Sequence, residues 1–269
     1  MTAIAACSVN TDREQGEEHR EPFGVFLGAD REDLEALKSY DTVVIESETF
    51  SRDDITELHD AGCFVYGYLD IGTLEEYRDY YDEFEDIALD VYDDWPDERW
   101  IDASSPRWQE YVVNTLAPTY LEKGFDGFFL DNCDVYYYYP SDEMFEGLVA
   151  ILQGLKLYDI SLMVNGGNDF VMRCVDEGLS DGLIDAVNQE TVFTSINFDD
   201  ENYGVQPEAE NLYYREYIEA AAASGIDVFV TEYSADGQTS SIASEYYASH
   251  GFTWYNAPDL YLDVGEYGG

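Results

Sequence analysis

Short apolar runs rich in β-branched and aromatic residues recur along this chain, and the stretches between them carry apolar positions at helical spacing. The runs predict strands over residues 23–27, 42–45, 64–69, 127–130, 161–164, 184–188, 227–231 and 252–255. The intervening stretches predict helices over 31–38, 53–60, 106–123, 141–157, 169–177, 207–224 and 241–250. Two helix starts carry local signals: Ser51 precedes the acidic first turn at Asp53-Asp54, and Ser105-Pro106 precedes Trp108. Strand alternating with helix implies a parallel sheet covered by helices, and eight strands in one domain predict an α/β fold, a closed (β/α)8 TIM barrel. Longer connections at 77–100 and 197–206 predict excursions over the rim at one face.

The pattern changes before the first strand. Residues 8–21 are polar and charged without apolar periodicity, so residues 1–21 read as a disordered tether and 22–269 as the barrel domain. Ile4-Ala5-Ala6-Cys7 resembles a lipobox, the small-residue motif before a lipid-modified cysteine, although only Met1 to Ala3 stand ahead of it. That motif gives the expectation of a lipid anchor at Cys7 and an extracellular or surface-tethered protein. No run of about 20 apolar residues predicts a membrane span.

Charge then narrows the partners. Asp and Glu number 59 against 12 Lys and Arg, a formal charge of −47. Phosphate backbones need the opposite sign, which excludes nucleic acid as a partner class. Aromatic residues make up 16% of the chain, too many for a disordered acidic polymer, so the acid covers a folded surface. Lysine is confined to Lys38, Lys123 and Lys156, and the carboxylates are spread over the whole length. This distribution predicts adaptation to molar salt, where the screening length falls to roughly 3 Å; attraction of a cationic ligand is compatible with it. Cys7, Cys63, Cys133 and Cys174 show no Cys-x-x-Cys spacing and read as buried free thiols, and the three histidines stand in no ligand pattern, so neither metal nor cofactor is expected.

The chemistry concentrates at strand ends. Gly124-Phe125-Asp126-Gly127-Phe128-Phe129-Leu130-Asp131-Asn132-Cys133-Asp134 is an apolar strand that stops in closely spaced polar residues, as chains do on leaving the C-terminal edge of a parallel sheet. Across the eight strands those ends are Glu46, Asp70, Asp131 with Asn132, Asn165, Glu190, Glu232 with Tyr233, and Tyr255 with Asn256, all converging on one barrel mouth. Acids, amides and aromatics without a phosphate loop or a Gly-x-Ser-x-Gly elbow make the vocabulary of a carbohydrate site. Glycosidic cleavage needs two carboxyl groups, and Asp131 and Glu190, after the fourth and sixth strands, are the expected pair. Asp126 precedes its strand at the opposite face and reads as fixing a loop. Asn132, Asn165 and Tyr233 are expected to bind substrate. Asp70 could bind sugar or cap the turn beyond its strand, and Asp134 could bind sugar or orient Asp131. Tyr136 to Tyr139 could offer stacking faces, Tyr136 first, or pack on neighbours.

These residues also resemble glycoside hydrolase family 114, the endo-α-1,4-polygalactosaminidases with a TIM-barrel domain. The resemblance rests on Gly67-Tyr68-Leu69-Asp70-Ile71-Gly72 followed by Glu76-Tyr77-Arg78, on Glu98-Arg99-Trp100-Ile101-Asp102, and above all on the Asp131 motif. Asn165-Gly166 and Asn188-Gln189-Glu190 add to it. It implies a glycosidase cutting inside α-1,4-linked galactosamine polymers, a cationic polysaccharide, with one Asp and one Glu that fall on Asp131 and Glu190. The alternative is a noncatalytic polysaccharide-binding barrel, or a hydrolase for another glycan. In one place the chain departs from the family pattern: where many relatives have a small residue before Ile-Gly and an acid directly after the Gly, it has Asp70 and Thr73.

Overall fold

Every predicted apolar run forms a strand, and the eight strands pair in chain order into one parallel sheet. The computed structural model describes residues 20–198 and 202–264. The strands are β1 (Glu21–Phe26), β2 (Tyr40–Ile45), β3 (Phe64–Asp70), β4 (Gly127–Asp131), β5 (Ser161–Asn165), β6 (Ala186–Glu190), β7 (Asp227–Tyr233) and β8 (Thr253–Ala257). β8 lies beside β1, so the sheet curls into a TIM barrel of a single domain. Cys7 and the expected tether up to residue 19 lie outside the described residues; Glu21 already belongs to β1.

Strand alternation divides the core in two. Phe23, Val25, Val44, Tyr66, Tyr68, Phe129 and Met163 fill the barrel, while Val43, Ile45, Leu69, Phe128, Leu130, Val164 and Val187 pack outward against the helices. Burying each such side chain contributes about 1.5–3 kcal/mol. Several strands run one or two residues beyond their apolar run, which puts Asp131, Asn165 and Glu190 on the last rung of the ladder, where side chains inherit the rigidity of the sheet.

The helices start where side chains supply caps. Ser51 and Asp54 form a reciprocal capping box, Ser141 accepts from Met144 N, and Asp236 accepts from Gln238 N and Thr239 N. The helix expected over 106–123 widens to a π turn over Val112–Leu116, because Pro118 has no N–H to give and its ring would meet the carbonyl one turn back.

Both rim excursions are sheet. Thr73–Glu75, Ala88–Tyr92 and Trp95–Ile101 form a three-stranded antiparallel sheet, and Thr194–Asn197 pairs with Asn202–Val205 in a hairpin. The Trp95 and Phe198 rings meet 6.1 Å apart, edge to face, so the two excursions touch across the mouth. No helix among the described residues is long and apolar enough to cross a membrane.

Candidate active site

At the C-terminal end of the barrel the last inward residues of β4, β5 and β6 are Asp131, Asn165 and Glu190. The Asn165 amide nitrogen donates one hydrogen to Asp131 Oδ1 at 2.9 Å and the other to Glu190 Oε1 at 2.8 Å. The two carboxyl groups are thereby tied to a single nitrogen. Asn165 cannot rotate away, because its carbonyl oxygen accepts from Asn188 Nδ2 at 2.8 Å, and Asn188 Oδ1 accepts from Thr231 Oγ1 at 3.0 Å. This line of buried polar groups crosses β5, β6 and β7 inside the barrel, and each strand contributes one fixed member.

The remaining partners differ between the two acids. Asp131 also accepts from the Tyr68 hydroxyl at 3.0 Å and from Asn132 N at 3.0 Å. Glu190 also accepts from the Tyr233 hydroxyl at 2.8 Å, and Tyr233 stacks on Tyr203 of the hairpin at 6.4 Å. Burial pushes both carboxyls above their ordinary values and the donors around each oppose this, three at Asp131 and two at Glu190; at Glu190 the nearby charge of Asp131 adds to the rise. Two neighbouring acids in environments that separate their protonation are the arrangement acid/base chemistry requires.

The pair opens into a cleft of about 1050 Å³. Asp134 lines it and accepts from Gly167 N at 3.0 Å, and burial pushes its carboxyl up to about 6. Gly166 and Gly167 both have φ near +60°, which lets this backbone turn beneath Asp134; a Cβ on Gly166 would stand 2.8 Å from its carboxylate. Asn132 lines the cleft too, but its Nδ2 donates to Asp70 at 2.9 Å and to Thr73 at 3.2 Å. Gln189 Oε1, buried in the same wall, has no hydrogen-bond partner among the described residues.

A second group of acids stands beside this pair. Arg78, 3% exposed, reaches Glu75 at 2.5 Å and Glu46 at 3.1 Å, and Tyr77 also donates to Glu75. Next to them the single hydroxyl proton of Thr73 is shared among too many partners: its oxygen contacts Asp70 Oδ2, stands 3.0 Å from Glu98 Oε2 and accepts from Asn132 Nδ2. A hydroxyl donates once, so one of those two acids must itself carry a proton. Burial, with Glu75 and Asp131 nearby, pushes Glu98 up to about 8, and burial holds Asp70 well above its ordinary value.

Two residues expected as substrate contacts lie away from the cleft lining. Asp70 is buried, and its oxygens accept from Gly72 N, Thr73 N, the Thr73 hydroxyl and Asn132 Nδ2; it caps the turn beyond β3 and does not face the cleft. Tyr136 is turned outward by the short helix Val135–Tyr138: its hydroxyl accepts from Arg173 at 3.0 Å and its ring packs on Phe145, while Tyr137 and Tyr138 line the cleft. Among the other strand-end residues, Glu232 points outside the barrel and holds the hairpin base through Phe193 N and Thr194 N, both at 2.8 Å. Asn256 accepts from Ala235 N, and Asp126 fixes the opposite end of β4 to Val65 N and His59.

Sequence reasoning missed Tyr68, Asn188, Thr231 and Glu98. For the first three the signal was parity, since each lies an even number of residues before an inward strand end. Among the described residues no group of three His, Cys, Asp or Glu side chains is disposed to hold a metal ion. Cys63, Cys133 and Cys174 are free and buried.

No curated protein sequence matches the chain. Among solved structures, the glycoside hydrolase domain of PelA from Pseudomonas aeruginosa superposes with a TM-score of 0.76 at 18% identity, covering 90% of this chain and 96% of that one. Ega3 from Aspergillus fumigatus, in complex with galactosamine, does so with a TM-score of 0.69 at 16% identity over 91% and 93%. The α-galactosidase TtGalA from Thermus thermophilus gives 0.56 at 10% identity over 88% and 57%. At these identities the superpositions speak for the barrel. The sequence model of the Glycoside-hydrolase family GH114 matches residues 6–266, nearly the whole chain, and the protein, a glycosidase with its acids at the barrel mouth, belongs to that family.

Proposed function

We propose that the protein hydrolyses internal α-1,4 linkages of a galactosamine-containing polysaccharide, with Asp131 as nucleophile and Glu190 as acid and base. The observation that carries this reading is the Asn165 nitrogen bonded at 2.9 and 2.8 Å to both carboxyl groups. Amide hydrogens about 120° apart leave the two bonded oxygens about 5 Å from each other, in the range of retaining enzymes and below the 6.5–9.5 Å of inverting ones. Three donors favour the ionised form of Asp131, and the neighbouring charge favours a proton on Glu190.

The steps follow from those roles. An Asp131 oxygen forms a bond to the anomeric carbon as the bond to the leaving oxygen breaks, and Glu190 gives its proton to that oxygen. Glu190 then takes a proton from water, the water oxygen attacks the anomeric carbon, and Asp131 leaves as the carboxylate. Asn132, Asp134 and Tyr233 stand where the sugar rings would lie. A cationic amino-sugar polymer suits the acidic cleft, and Ega3, a barrel of the same fold, holds galactosamine. An extracellular or lipid-anchored location and a salt-adapted surface complete the reading.

The test is reducing-end release from deacetylated α-1,4-galactosamine polymer in high salt. The parent should release ends and retain anomeric configuration by NMR; Asp131→Asn should release none, and Glu190→Gln should lower turnover by about 10² to 10⁴. No release by the parent, with folding confirmed in the same buffer, would move the assignment to another glycan or to a binding module. Circular dichroism in molar against millimolar KCl checks the surface: equal stability in both would remove the salt reading.

A further inference from the structure

We propose that Tyr137, Tyr213 and Asp169 form an outer subsite that holds a galactosamine unit of the substrate beyond the sugars at the cleaved linkage. This rests on the function proposed above. Three loops build the shelf: Tyr137 comes from the turn after β4, Asp169 from the start of the helix Asn168–Asp176 after β5, and Tyr213 from the helix Glu208–Ala223 after the β6 hairpin. All three residues line the same cleft as Asp131 and Glu190. Asp169, Asp134 and Tyr137 all stand within electrostatic reach of the Tyr213 hydroxyl.

Tyr137 is 62% and Tyr213 50% exposed, whereas Tyr136, one residue away, is spent on Arg173 and Phe145. Each ring meets one neighbouring tyrosine edge to face, Tyr137 on Tyr138 and Tyr213 on Tyr214, and leaves half or more of its surface open to water along the wall of the cleft where the polymer must lie. Their chemistry selects the occupant. A hexosamine offers a C–H face to an aromatic ring and an ammonium group to a ring face or a carboxylate, and Asp169 supplies an exposed carboxylate near the Tyr213 hydroxyl. Asp134 lies on the path from the catalytic pair to the shelf, so acidic groups continue without interruption from the inner sugar to the outer one.

The experiment compares defined α-1,4-galactosamine oligomers from dimer to octamer in high salt. For Tyr137→Ala and Tyr213→Ala, KM on the octamer should rise about three- to tenfold, while kcat and KM on the shortest cleaved oligomer stay as in the parent. Tyr213→Trp should restore the octamer KM, and Asp169→Asn should raise it less than either alanine. Equal changes at every length, or no change at any length, would overturn the outer subsite while leaving the parent's cleavage intact. Failure of the parent to cleave any oligomer would instead overturn the underlying function, and the subsite with it.

Discussion

Two groups of acids share this barrel mouth, and they are handled in opposite ways. Asp131 and Glu190 receive only neutral donors, an amide, two phenols and a backbone N–H, and both face the open cleft. Glu46 and Glu75 are neutralised by the buried guanidinium of Arg78, and Asp70 is held by three donors of its own turn and by the Asn132 amide. Neutral donors fix a carboxyl in place without removing its capacity to take or give a proton; a guanidinium removes it, and at Asp70 the donors leave no side open to the cleft. A strand-end acid is therefore available for chemistry only when its partners are neutral and one side of it is open.

That contrast can be broken from the side of stability first. Arg78→Met leaves Glu75 and Glu46 as uncompensated charges and should cost about 3–5 kcal/mol of unfolding free energy, read by denaturant titration in molar salt. A loss below about 1 kcal/mol would mean that these carboxyls simply protonate. From the side of function, Asn165→Ala should lower kcat about 10²-fold by freeing both carboxyls from their common nitrogen. Asp70→Asn should do the reverse, costing about 1–3 kcal/mol of stability with kcat held within tenfold. A large kcat effect from Asp70→Asn would merge the two groups into one.

The proton held between Asp70, Thr73 and Glu98 gives a prediction of intermediate size. Glu98 is raised from 4.5 to about 8 in the folded protein, so the folded state binds this proton more tightly than the unfolded chain. Its contribution to stability is complete below about 4.5, falls as pH rises through the window to about 8, and is flat above it. Glu98→Gln, whose amide can donate to Thr73 as the protonated acid does, should flatten the melting-temperature profile across that window; an unchanged slope would place the proton elsewhere. The smallest effect is expected from Tyr136→Phe, which loses one bond to Arg173 and should cost no more than about 1 kcal/mol with KM unchanged. A rise in KM would return Tyr136 to the cleft.

The barrel was legible because its strands are apolar on both faces, so each run stands out from the acidic helices around it. Asp131 and Glu190 were legible for the same reason, as the first acids after such a run. The rim was not: the sheet from Thr73 to Ile101 mixes acids with aromatics, and its pairing follows from where Trp100 and Leu74 find burial, which no local period announces. Tyr136 was misplaced because a single helical turn rotates successive side chains by about 100°, so neighbours in a tyrosine run point in different directions. Asp70 illustrates the ambiguity of short acids, which satisfy backbone N–H groups two and three residues on as readily as they bind ligands. Asp70 and Thr73, the two positions at which the chain departs from the family pattern, are bonded to each other within one turn.

The polar line Thr231–Asn188–Asn165 belongs entirely to strands, so the interval between Asp131 and Glu190 is set by the barrel wall and not by any loop above it. Loops could then be exchanged, lengthened or recharged to accept a different polymer while the bond-breaking step kept its geometry, which makes this scaffold one in which selectivity and stereochemistry can be engineered separately.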